Sequence, residues 1–133
     1  MQTTDLIKLY YSSFNQGDMD KFLSLLDDNV EHDLNQGERQ VGKAQFASFM
    51  ERMNKCYKEH IKDIVVMTSS DNQQAAAEYV VEGTYIATDE GLPPAANQKY
   101  VLPGGAFFVI KNGKITRITN YYNLNDWIEQ VGK

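Results

Sequence analysis

The chain has 133 residues, 42% of them apolar and 23% charged, with 13 Lys and Arg against 18 Asp and Glu and a formal net charge of −5. That length predicts one domain around one core, spanning 1–133. The acidic balance and the lack of any basic run exclude a nucleic-acid partner, which needs clustered positive charge facing phosphate.

The opening Met1-Gln2-Thr3-Thr4-Asp5 lacks the basic start and apolar run of a signal peptide. No later stretch approaches the roughly 20 apolar residues that cross a bilayer, so the expectation is a cytoplasmic protein with no membrane partner. Thr4-Asp5 caps a first helix with Leu6, Ile7, Tyr10, Tyr11 and Phe14 on one face, and Gly17 suits its left-handed end. Asp18 caps a short second helix that turns Phe22, Leu25 and Leu26 inward. A strand follows over 30–35, then a turn at Gln36-Gly37-Glu38. A third helix runs from about Lys43 to Tyr57, with a stripe of Phe46, Phe49, Met50, Met53 and Tyr57. Cys56, the single cysteine, sits beside that stripe and reads as a small core residue; alone, it can form neither an intramolecular disulfide nor a thiolate metal cluster.

The rest is β. Strands are predicted near 61–69, 75–88, 99–110 and 114–122, with a short C-terminal helix carrying Leu124, Trp127 and Val131. In 75–88, Ala77, Tyr79, Val81, Gly83 and Tyr85 share one face, and Glu78, Val80, Glu82 and Thr84 the other. Asn112-Gly113 predicts a hairpin turn between the last two strands. Pro103-Gly104-Gly105 predicts a bulge or bend inside a strand. Helices ahead of a meandering antiparallel sheet make an α+β fold with one sheet face covered.

Candidate chemistry is sparse. His32 and Asp33 are neighbours on a strand and point to opposite faces; the pattern turns His32 inward with Val30 and Leu34, and Asp33 outward with Glu31. His60 falls at a helix end and reads as a surface residue. The two histidines lack a carboxylate at helical spacing, so no zinc site is expected. No nucleophile elbow and no phosphate-cradling loop is present, so no cofactor is expected.

The run Tyr10-Tyr11-Ser12-Ser13-Phe14-Asn15-Gln16-Gly17-Asp18, then Leu25 to Asp33, then Val41-Gly42, resembles the opening of ketosteroid isomerase-like proteins of the SnoaL-like, nuclear transport factor 2-like superfamily. Gly113-Lys114-Ile115-Thr116-Arg117 with Asn120-Tyr121-Tyr122 resembles that family's last hairpin. The resemblance implies a cone, a strongly bent sheet around the N-terminal helices, enclosing an apolar cavity for a small apolar molecule. It implies either acid–base chemistry on a carbonyl compound, in the isomerase or polyketide cyclase manner, or a non-catalytic binding or dimerisation module. It assigns Tyr10 as oxyanion donor and Asp33 as base, or Leu34 at that place if no residue is dropped; His32 is the other candidate base. Phe14, Tyr79, Tyr85, Phe108, Asn120 and Tyr122 are the implied ligand contacts. The family's second oxyanion acid falls at Ala106 and is absent here. The segment Asp89 to Gln98 reads as a loop long enough to fold over the cavity mouth. A homodimer through the outer sheet face, with Val80 and Thr84 between Glu78 and Glu82, is expected.

Overall fold

The structure, a computed structural model, describes residues 1–132. Helix α1 (Thr3–Gln16) stops where predicted: Gly17 takes φ 72°, and its N–H returns to the Phe14 carbonyl. Asp18 caps α2 (Met19–Ser24) by accepting from the Lys21 N–H. The strands are β1 (Leu26–Asp33), β2 (Arg39–Val41), β3 (Tyr57–Thr68), β4 (Gln74–Tyr85), β5 (Gln98–Lys111) and β6 (Lys114–Tyr122). Helix α3 (Lys43–Cys56) lies between β2 and β3, and α4 (Leu124–Val131) closes the chain. They form one curled, unclosed six-stranded sheet in the order β2-β1-β6-β5-β4-β3.

Four features of the fold differ from the sequence reading. First, β1 runs parallel to β6, so the sheet is mixed rather than wholly antiparallel. Second, the turn after β1 leads into a short strand, β2, that hydrogen-bonds back onto β1. Third, α3 ends at Cys56 and β3 begins at once with Tyr57, four residues earlier than predicted. Finally, Gly104 and Gly105 stay in unbroken register with β4, without a bulge. The register shifts lie elsewhere: in β1 between Leu26 and Glu31, in β3 between Lys62 and Val65, where Asp63 has φ 54°, and where Val109 and Ile110 meet β6. Gly83 of β4 and Gly104 of β5 make room for the tyrosines opposite them. A Cβ on Gly104 would sit 2.6 Å from the Tyr79 ring, and one on Gly83 2.2 Å from the Tyr100 ring.

The inner face carries Ala75, Ala77, Tyr79, Val81, Gly83 and Tyr85 from β4, matched by Phe108, Ala106, Gly104, Leu102 and Tyr100 from β5. Helix α1 packs over one end, and Tyr10, Tyr11, Phe22 and Phe108 interlock there. A second cluster of Tyr85, Tyr100, Leu102, Trp127 and Val131 fills the other end beneath α4. Between the two clusters the sheet leaves a cavity.

Candidate functional site

The start of β3 decides the chemistry of the cavity. Period-two alternation from Tyr57 turns Tyr57, Glu59 and Ile61 inward, with Lys58 and His60 outward. Glu59 thus stands on the wall of a cavity of about 330 Å³ whose lining is mostly apolar, including Phe14, Phe46, Phe49 and Met50. Its carboxylate accepts a 2.5 Å hydrogen bond from the Tyr100 hydroxyl. Burial pushes the Glu59 carboxyl above the usual carboxylate range, and the Tyr100 hydrogen bond opposes that rise.

A second carboxylate arrives from the long loop after β4. Asp89 is buried, lines the same cavity and accepts 2.8 Å from the Tyr57 hydroxyl. Two tyrosines tie this loop down, because Tyr85 donates to the Pro93 carbonyl and accepts from the Asp89 N–H. Arg52 of α3 reaches within 4.0 Å of Asp89 while lying over the Phe49 ring. Tyr79 and Tyr122 line the same wall. The Tyr79 hydroxyl is pushed up to about 12 by burial and by the nearby Glu59 charge, so it stays protonated and able to donate. Burial raises Tyr122 as well, again with Glu59 adding to it.

His32 projects into the other side of the cavity, packed between Phe46 at 4.4 Å and Phe49 at 4.8 Å between ring centroids. Desolvation lowers it to about 4, so the imidazole is neutral near pH 7. Its Nε2 lies 3.3 Å from the Asn120 amide, and its buried Nδ1 has no partner.

Asp33 is on the opposite face. Arg39 of β2 grips both of its oxygens, at 2.6 and 3.1 Å, and Thr119 of β6 donates at 2.7 Å. Those bonds, Arg39 foremost, hold its carboxyl down near 2. The expectation that Asp33 and Tyr10 face one cavity is therefore corrected, because strand alternation sends Asp33 outward and an ion pair keeps it there. Tyr10, Phe14, Asn120 and Tyr122 do line the cavity, as does Tyr79. Tyr85 and Phe108 do not: Tyr85 is fully buried holding the loop, and Phe108 is fully buried against Tyr10 and Tyr11.

Reading the sequence missed Glu59, Asp89, Tyr57 and Tyr100. The signal for Glu59 was available as Tyr57-x-Glu59-x-Ile61 with Lys58 and His60 between, a strand pattern hidden by running the third helix to Tyr57. Asp89 carries no pattern of its own, because a loop has no period.

The SnoaL-like domain family model matches residues 7–118. The chain belongs to the SnoaL-like family. A solved structure from Pseudomonas putida KT2440, described as a "putative polyketide cyclase", is 62% identical with a TM-score of 0.97 and covers 98% of each chain. One from Xanthomonas campestris pv. campestris under the same description is 55% identical, TM-score 0.93, covering 96% of this SnoaL-like chain and 95% of that one. An NTF2-like protein of unknown function from Burkholderia pseudomallei shares only 11% identity but has a TM-score of 0.83 over 98% of each chain, which shows the common fold. No curated protein matches. Among the described residues no helix is long and apolar enough to cross a membrane, and no group of three or more His, Cys, Asp or Glu is placed to hold a metal ion.

Proposed function

We propose that the cavity takes a small, largely apolar carbonyl compound and that the protein is an isomerase- or cyclase-like enzyme working by acid–base catalysis. Glu59 is the base in this reading. Its carboxylate takes the proton from a carbon beside the ketone, and the Tyr79 or Tyr122 hydroxyl donates to the enolate oxygen that forms. The observation that carries the reading is Glu59 itself, a carboxylate on an apolar cavity wall with its proton affinity raised by burial. His32 is the weaker candidate, because its imidazole is wedged between two phenyl rings and only 1% exposed. The similarity to proteins described as polyketide cyclases agrees with an enolate step.

The test follows exchange of the α-hydrogens of a tricyclic dihydrophenanthrenone into D2O by proton NMR. Wild-type protein accelerates the exchange, and Glu59→Gln loses about 10²–10⁴-fold of that acceleration while still binding the ketone. The outward position of Asp33 favours a second reading, a non-catalytic binding module. Binding of the ketone, seen as a change in Trp127 fluorescence, with no accelerated exchange would select it.

We also propose a homodimer formed through the outer sheet face. Val101, Phe107 and Tyr121 are each about half exposed there, and the Phe107 and Tyr121 rings pair edge to face at 5.9 Å. Val80 and Thr84, expected at the centre, are half-buried. The apolar weight therefore lies nearer β5 and β6.

A further inference from the structure

We propose that Tyr100 is a positioning residue for Glu59, brought to it across strand β4 by the missing side chain at Gly83. The inference rests on Glu59 being the base. Glu59, Gly83 and Tyr100 form one cross-strand row: Glu59 pairs with Gly83, and Gly83 pairs with Tyr100. Glu59 and Tyr100 are two strands apart, farther than most side-chain pairs reach. The Tyr100 ring lies over Gly83, where a Cβ would come within 2.4 Å of the Tyr100 hydroxyl oxygen and 2.2 Å of Cζ. Only the bare backbone there lets the hydroxyl arrive at Glu59 Oε2, at 2.5 Å.

The far side of Tyr100 is fixed as well. The Trp127 indole stands edge-on to its ring, 5.9 Å between centroids. An ionised Glu59 carboxylate can only accept, so the Tyr100 hydroxyl gives its proton to this bond. One carboxylate oxygen is thereby held, and the other remains for the substrate proton. The hydrogen bond also favours the ionised carboxylate, opposing the effect of its burial.

The experiment compares wild-type protein, Tyr100→Phe and Gly83→Ala in two measurements. One is the pH profile of ketone exchange. The other is the titration of the Glu59 carboxyl by carbon-13 NMR, with Glu59→Gln used to assign the signal. Tyr100→Phe keeps the ring and its packing, so the fold and ketone binding are retained. Its exchange rate at neutral pH falls roughly ten- to hundredfold, as loss of a hydrogen bond to a charged group implies. The midpoint of its profile moves to higher pH, and the carboxyl titration moves with it. Gly83→Ala gives the same upward shift by displacing the ring. A Tyr100→Phe protein whose carboxyl titrates at the wild-type midpoint overturns the proposal. If wild-type protein shows no exchange at all, Glu59 is not the base. The carboxyl titration then still decides whether Tyr100 governs this group, so the two failures are told apart.

Discussion

His32 shows how a single buried group writes itself into the stability of the molecule. Its Nδ1 has no partner, and desolvation outweighs the attraction of Asp33, so the folded state keeps it neutral down to about pH 4 against the usual 6.5. As pH falls below 6.5 the unfolded chain takes the proton first. Stability present above pH 6.5 is therefore lost between about 6.5 and 4, with a total on the order of 3 kcal/mol. Asp33 acts in a lower window, since its folded carboxyl is held near 2 against the usual 3.8, and its contribution disappears as pH falls through that range. His32→Gln should flatten the upper window and leave the lower one in place, as read from urea midpoints at pH 7, 5 and 3. An unchanged slope between pH 7 and 5 would assign the acid sensitivity to another group. The same two residues show what the sequence discloses at this scale. Alternation placed His32 inside and Asp33 outside, and the structure agrees. The family resemblance points to Asp33, but alternation turns that carboxylate outward and Arg39 holds it there; β2, the strand that presents Arg39, lies just past the predicted turn at 36–38, where the sequence pattern assigns no element.

At the scale of elements, the legible features were those set by neighbours in sequence. The Gly17 stop, the Asp18 cap and the Asn112-Gly113 hairpin, with φ of 52° and 74°, all depend on one or two residues. The junction between α3 and β3 was not legible because nothing local ends the helix: Cys56 and Tyr57 carry no cap or glycine. The chain leaves α3 when Tyr57 pairs with Tyr85, a contact between residues far apart in sequence. Helix α4 depends on the same assembly. It is only eight residues long, too short to persist alone. Asn123 caps it by accepting from the Asp126 N–H, but its hold on the body is Trp127. That indole is 4% exposed and packs edge-on against Tyr57, Tyr85 and Tyr100. Trp127→Ala should cost roughly 3–5 kcal/mol, the range for deleting a buried aromatic. Calorimetry measures this, and a melting temperature within a degree of wild type would show that α4 is held by other contacts.

For the whole molecule, the curl of the sheet explains both the cavity and the surface left outside it. Glycines at 83 and 104 let tyrosine rings lie flat on the concave face, so that face is crowded with aromatic side chains. The convex face carries the residues of opposite parity. Among them Val101 is 55%, Phe107 49% and Tyr121 57% exposed, with Met67 and Val65 on β3. Leaving such side chains in water is unfavourable by roughly 25 cal/mol per Å² of apolar surface. Burial against a second copy relieves this on both chains at once, and a two-fold axis brings the same patch to itself. The charges on this face do not forbid contact: Lys62 already pairs with Glu82, and Arg39 with Glu31 and Asp33. A dimer with a mixed, partly polar interface is thus the expected state. Sedimentation equilibrium at micromolar concentration should give twice 15.1 kDa. Phe107→Glu should return the protein to a monomer that stays folded, because the Phe107 side chain points away from the core. A wild-type protein that sediments only as monomer would leave the convex face without a second copy. A Phe107→Glu protein that stays dimeric would move the interface off β5.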